Sequence, residues 1–420
     1  MRDRPRLLVR DLAQVATPPT AASPARGSDL GDVRVVEGAY VLCATDGTIE
    51  AVGAMAELDA VRGSLDGDVV DIDGRGLSAI PGLVDCHTHA CFAGDRVAEF
   101  SLRARGASYE ELHAAGGGIL STVRATRAAT PDELVEVTRL HAGWMLRHGT
   151  TTFEGKSGYG LDRETELAQL RAVAQAGGVP TWLGAHTVPP EYAGADGYLD
   201  FLLEEVLPEA ARLAEAADVF LERGAFDAVQ ARRYLAACRE VGLVLRLHGD
   251  QFTEAGAIPL AVELGARSID HLEATGAEGV KALATSTVAA VCLPVAALVL
   301  GRPMPPARAL ADAGAIVVLA TDFNPGSAFC ESLLFVCSLA CTQLGLGPEE
   351  ALVACTRNAA HVLGRGDRIG ALAPGYAADV VLVDAIDWRH LAYHVAADIV
   401  HTVITGGEVA FSRDPVRVGG

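Results

Sequence analysis

Pro81-Gly82-Leu83-Val84-Asp85-Cys86-His87-Thr88-His89 sets a turn, a short apolar run and a histidine pair in direct succession. Pro-Gly punctuates the chain, and the apolar run behind it reads as a buried strand. Residues i and i+2 of a strand point to one side, so both imidazoles can face one point. The arrangement recurs downstream. Apolar runs at Leu83–His89, Thr151–Lys156, Thr181–His186, Asp218–Glu222, Leu243–His248, Ser268–His271, Thr287–Leu293 and Ile316–Asp322 alternate with longer helical stretches. Eight such runs, with helices between them, predict an α/β fold of the closed (β/α)8 TIM-barrel type. Among the helices, Pro131–Arg147 opens on Thr130 as N-cap with Pro131 at the first helical position, and Leu161-Asp162 leads into Arg163–Ala176.

The polar residues gather at the ends of these runs. His87 and His89 end the first, His186 the third, His248 the fifth, His271 the sixth and Asp322 the eighth. In a barrel of this type the strand C-termini meet at one mouth, where active sites lie. Taken alone, His248 reads as a hydrogen-bonded core histidine. In company with His87, His89 and Asp322 it completes an N3O set that suits Zn²⁺, Fe²⁺ or another borderline divalent ion, with a position left for water.

Both chain ends are of another kind. Short β-type runs at Val33–Val36, Tyr40–Cys43, Ile49–Val52 and Val69–Ile72 are punctuated by Glu37-Gly38, Asp46-Gly47 and Asp66-Gly67. The far end repeats the style with Asp379–Val383, Thr402–Ile404 and Val409–Phe411. Neither end holds enough apolar material for its own domain. The expected division is therefore a small β-sandwich built from residues 1–79 and 373–420, around a barrel at 80–372.

Composition narrows the function. The 420 residues carry 34 Lys+Arg against 54 Asp+Glu, a formal charge of −20, which argues against nucleic acid or an anionic membrane surface as partner. The longest apolar run, Val288 to Leu300, contains Pro294 and is too short to span a bilayer. The N-terminal stretch lacks the apolar segment of a secretory signal, and nine scattered cysteines without a CxxC pair predict reduced thiols in a cytoplasmic protein. Gly116-Gly117-Gly118 lacks the lysine of a phosphate-binding loop.

Further segments sharpen the reading. They are Ala107-Ser108-Tyr109 with Gly116-Gly117-Gly118-Ile119, then Lys156-Ser157-Gly158-Tyr159-Gly160-Leu161, then Gly184-Ala185-His186-Thr187-Val188-Pro189-Pro190-Glu191-Tyr192. After these come His248-Gly249-Asp250-Gln251, Asp270-His271-Leu272-Glu273 and Thr321-Asp322-Phe323-Asn324-Pro325-Gly326-Ser327. From about Ile80 to near Val403 the chain resembles the amidohydrolase superfamily. The histidine pair and Asp322 are shared across that superfamily; the segments at Lys156 and Thr321 resemble one ring-opening branch of it.

The resemblance implies one divalent ion, Zn²⁺ or Fe²⁺ with Fe³⁺ as a further option, held by His87, His89, His248 and Asp322. It implies substrate contacts from Arg96, Tyr159, His186, Gln251, Asn324, Gly326 and Ser327, and makes His271 and Asp322 the acid/base pair. The implied reaction is hydrolysis of the cyclic amide of 4-imidazolone-5-propanoate to N-formimidoyl-L-glutamate, in a chain that pairs as a homodimer. Another hydrolase or aminohydrolase acting on a small heterocycle is the alternative, and a barrel without catalysis the rival from another class. The departures are Gly155, where a β-branched residue is commoner, Gly249 in place of Ala, and Gln251, which is Glu in some relatives. An amide cannot take a proton at neutral pH, so Gln251 can orient substrate but cannot be the base.

The chemistry agrees with that expectation. A cyclic amide is a poor electrophile and neutral water a poor nucleophile; a bound metal addresses both. The substrate is a small anion, and a chain of charge −20 repels it at long range. A local cation is needed, and Lys occurs only at 156 and 281. Arg96, just past His89, can supply a bidentate clamp, although beside Asp95 and Glu99 it also reads as a surface ion pair. Lys156 is expected to pack at the rim or to pair with Glu154. Its carboxylation to bridge two metals is the minor alternative.

Overall fold

The computed structural model describes residues 5–63, 69–106 and 117–414. The Asp66-Gly67 turn and the stretch from Ala107 to Gly116 lie outside them. Strands β1 (Arg6–Thr17), β2 (Arg34–Cys43), β3 (Ile49–Ala54), β4 (Val69–Asp73) and β5 (Ser78–Pro81) come first. Next come β6 (Leu83–Asp85), β7 (Thr150–Lys156), β8 (Val179–Ala185), β9 (Ala216–Leu221), β10 (Val244–Gly249), β11 (Ser268–His271), β12 (Ala289–Cys292) and β13 (Ile316–Leu319). Strands β14 (Val380–Val383), β15 (Val400–Thr405) and β16 (Glu408–Ser412) follow. The chain divides into two compact units, Met1–Cys86 with Met145–Thr152 and Ser332–Gly420, and His87–Trp144 with Phe153–Glu331.

In the first unit the terminal strands share one sheet in the order β16-β15-β14-β5-β1-β2-β3, with β4 also on β1. Strand β1 organises it. One edge of β1 pairs with β2 along its length, while the other passes from β4 at Arg6–Arg10 to β5 at Gln14 and Val15. Leu7 and Val9 point into a core with Val41, Cys43, Ile72 and Val380, and Leu8 points the other way, against Tyr40, Leu42 and Leu58. Alternate residues thus bury both faces, which explains three apolar residues in a row.

One turn expected from sequence is absent. Glu37-Gly38 does not separate two strands; β2 runs straight through it, because Glu37 and Ala39 pair with Gln14 and Leu12 of β1 on either side. A long partner strand supplies ladder bonds that outweigh the local turn preference of Gly38, whose φ of +53° is accommodated within the strand.

The eight strands β6 to β13 form a second sheet in sequence order, and from β7 to β13 each neighbouring pair is parallel. The first and last runs meet: Thr88 bridges Phe323 in parallel, the His89 amide donates to the Phe323 carbonyl at 2.9 Å, and the Asp322 amide to the His87 carbonyl at 3.1 Å. This is the α/β barrel expected from the eight apolar runs. Its helices begin where their caps lie. Thr130 and Glu133 exchange capping contacts at the head of the helix Pro131–Arg147, and Asp162 accepts from the Thr165 amide at 2.7 Å before Arg163–Gln175. Among the described residues no helix is long and apolar enough to cross a membrane.

Candidate active site

At the ends of strands β10 and β11 and just past β6 and β13, four histidines and a carboxylate come together. The candidate ligand atoms of His87, His89 and Asp322 lie within 4.8 Å of one another, and so do those of His87, His248 and His271. His248 Nε2 is 3.4 Å from His89 Nε2, and Asp322 Oδ1 is 3.5 Å from Nε2 of both His87 and His89. Ligands at about 2.0–2.2 Å from one tetrahedral ion stand roughly 3.3–3.6 Å apart, so these separations match.

The hydrogen bonds behind the imidazoles make the same point. Asp270 Oδ2 receives His87 Nδ1 at 2.6 Å, and Asp218 Oδ1 receives His248 Nδ1 at 3.0 Å. A carboxylate only accepts, so each Nδ1 carries the proton and each Nε2 presents a lone pair. His87 Nε2, the ring atom that faces Asp322, is buried without any hydrogen-bond partner. Burial, before the charge on Lys156 for His87 and the neighbouring His186 ring for His89, holds both rings well below the ordinary histidine pKa, hence neutral. Neutral imidazoles with bare lone pairs beside a carboxylate fit a divalent metal ion.

His271 differs. Its Nδ1 lies 3.4 Å from Glu273 Oε1. Burial pulls its pKa down, but the carboxylates of Glu273, Asp322 and Asp270 outweigh burial and hold it above the ordinary value. Burial pushes Asp322 up to about 6, against the pull of His271 and His248. The backbone is strained here too: φ is +90° at His271, +75° at Leu272 and +57° at Asp322, a region non-glycine residues rarely adopt.

Above this group opens a cavity of about 420 Å³. Every site residue expected from sequence lines it except His87, which lies fully buried beneath. His186 stacks on His89 at a 5.3 Å ring separation and contacts the Gly158 carbonyl through Nδ1 at 3.0 Å; burial, then His248, takes its pKa down to about 3. Tyr159 packs against both rings, and burial raises its hydroxyl pKa. Asn324 folds the last loop back on itself: its Oδ1 accepts from the Gly326 and Ser327 amides, each at 2.8 Å, and its Nδ2 donates to the Asp322 carbonyl at 2.6 Å.

Arg96 lines the cavity and also pairs with Glu99, its Nε 2.8 Å from Oε2, as its neighbourhood in the sequence suggested. Sequence reasoning missed Arg103, which lines the same cavity and donates to the Gly326 carbonyl at 2.9 Å. Arg103 Nη2 also lies 3.9 Å from Glu99 Oε1, so two guanidiniums share one carboxylate. Lys156 is fully buried rather than at the rim, and it pairs with Glu154 at 2.7 Å, as expected, and with Asp218 at 2.8 Å. A carbamate there would set a further anion against these carboxylates. The glycine departures have a steric reason. A Cβ on Gly155 would lie 2.7 Å from Val173, and one on Gly249 would lie 2.3 Å from the Ala257 methyl.

Residues 78–410 match the amidohydrolase family. An imidazolonepropionase of Rubrobacter xylanophilus is 59% identical over 408 residues, covering 96% of this chain and 97% of its own. One of Herpetosiphon aurantiacus is 44% identical, covering 96% of each. The chain belongs to the amidohydrolase family and, within it, to the imidazolonepropionases. Among solved structures, a zinc-bound adenosine deaminase of Xanthomonas campestris superimposes with a TM-score of 0.71 at 20% identity, covering 98% of this chain and 94% of its own. The guanine deaminase of E. coli gives 0.71 at 15%, covering 97% and 100%. At such identities the shared property is the barrel fold.

Proposed function

We propose that the chain hydrolyses the ring amide of 4-imidazolone-5-propanoate to N-formimidoyl-L-glutamate, with one divalent ion, Zn²⁺ or iron, held by His87, His89, His248 and Asp322. The observation that carries this reading is one cavity lined both by His89, His248, His271 and Asp322 and by Arg96 and Arg103. The ion, when bound, lowers the pKa of water and polarises a carbonyl. The protein does the rest. Asp322 and His271 move a proton from the attacking water to the ring nitrogen as the carbonyl C–N bond breaks and the carbonyl carbon takes the hydroxyl. Glu273 favours the protonated form of His271 against the opposing effect of burial. Tyr159 and His186 wall the ring, Gln251 and the loop Asn324, Gly326 and Ser327 orient it, and the guanidiniums take the anionic propionate.

Nine cysteines, all free of disulfides, support the cytoplasm as its compartment. The test is turnover of freshly generated imidazolone propionate with metal analysis and light scattering on the same sample. Turnover, one ion per chain and a dimer are expected. Turnover of an amino-heterocycle in its place would overturn the substrate assignment.

A further inference from the structure

Beneath the candidate metal site lies a fully buried layer of five charged side chains: Glu154 and Lys156 of β7, Asp218 of β9, Arg246 of β10 and Asp270 of β11. Starting at His248, the contacts run from Nδ1 to Asp218 at 3.0 Å, and from Asp218 to Lys156 Nζ at 2.8 Å. Lys156 continues to Glu154 at 2.7 Å, Glu154 to Arg246 at 2.9 Å, and Arg246 to Asp270 at 3.2 Å. Asp270 meets His87 Nδ1 at 2.6 Å, and Lys156 also lies 3.8 Å from Asp270, which closes the circuit. The remaining oxygen of Glu154 accepts the Thr88 amide, between His87 and His89, at 3.1 Å.

Lys156 is one of only two lysines in the chain, and it is wholly inaccessible. Burying an ammonium costs several kcal/mol unless its partners are fixed, and a buried ion pair is weak grounds for stability by itself. Nor does Lys156 line the cavity. What its position achieves is geometric: its ammonium lies within ion-pair distance of both carboxylates that hold His87 and His248. We propose that Lys156 is a positioning residue that ties Asp218 to Asp270 and so aims the Nε2 atoms of His87 and His248 at one point before an ion arrives. Supporting groups of this kind typically change metal affinity about 10–100-fold. The inference rests on the metal reading above, not on the identity of the substrate.

The test measures zinc affinity by competition with a coloured chelator, and the visible spectrum of the cobalt-loaded full chain. Lys156→Met should weaken zinc binding about tenfold to a hundredfold and alter the cobalt bands. Lys156→Met with Asp218→Asn removes one charge of each sign, so the layer keeps its net charge. This double variant should unfold thermally near the metal-free wild type yet still bind zinc weakly. Wild-type zinc affinity in either folded variant would make Lys156 a stabilising group only and overturn the proposal. Absence of divalent-ion binding by the wild type would instead overturn the metal reading. Should neither variant fold, imidazole ¹⁵N shifts of the metal-free wild type decide: both rings in the Nδ1–H tautomer support the proposal, and mixed tautomers overturn it.

Discussion

His271 ends β11 at a φ of +90° and Glu273 follows two residues on, with His271 Nδ1 3.4 Å from Glu273 Oε1. Because a carboxylate only accepts, Glu273 holds the Nδ1 proton and turns Nε2 the other way. Glu273→Gln keeps an acceptor but removes the charge. We expect kcat to fall about tenfold or more with little change in KM. Since the charge of Glu273 helps to raise the His271 pKa, its loss should lower that pKa. The alkaline limb of kcat, where His271 gives up its proton, should then move to lower pH. A pH–rate profile superimposable on the wild type would remove Glu273 from this role.

The ligand set makes a separate prediction. His248 contributes Nε2 at 3.4 Å from His89 Nε2 and has Asp218 behind it. Replacing it with Ala should remove most bound metal and abolish turnover, while circular dichroism stays that of a folded barrel. Elemental analysis is the check, and two ions per chain in the wild type would sink the mononuclear assignment.

Arg96 carries the argument about substrate charge. Its Nε is tied to Glu99, and Gly326 leaves room for its Nη1, which lies only 2.1 Å from where a Cβ of residue 326 would stand. Arg96→Met should cost roughly tenfold to a hundredfold in kcat/KM and leave metal content unchanged. Lys at the same position should not rescue, since an ammonium cannot hold Glu99 and a second carboxylate in one plane. Arg103→Met should show a related loss. If Arg96→Met kept full kcat/KM, Arg96 would serve Glu99 alone.

Much of this was readable from sequence because parallel barrel strands are buried on both faces. Ala289–Cys292 and Ile316–Leu319 are apolar without a break, and their neighbours end in His or Asp where solvent access begins. What escaped the reading depends on pairing across space. Asp218 and Asp270 stood inside apolar runs as unexplained charges, yet their partners are 30 and 183 residues away. The strand β1 was hidden for the same reason: its Leu7-Leu8-Val9 gains meaning only once β2, β4 and β5 surround it. Glu37-Gly38 misled because a local turn preference of a fraction of a kcal/mol yields to a full ladder partner.

The terminal sheet offers a test of stability that is independent of the metal site. Half-buried Asp379 accepts the Gly406 amide through Oδ1 at 2.9 Å, and burial outweighs this bond, raising its pKa above the ordinary 3.8. The folded state therefore binds the proton more tightly than the unfolded chain. As pH rises from 3.8 through the raised folded value, the unfolded state ionises first and stability falls. Asp379→Asn keeps the Oδ1 acceptor for Gly406 and has no proton to lose. Relative to the wild type, the variant should thus gain thermal stability as pH rises from about 4, and its advantage should level off once Asp379 is ionised in the folded wild type. Thermal midpoints of both proteins across this range decide the matter. A difference that stays constant with pH would mean that Asp379 titrates alike in the folded and unfolded chain.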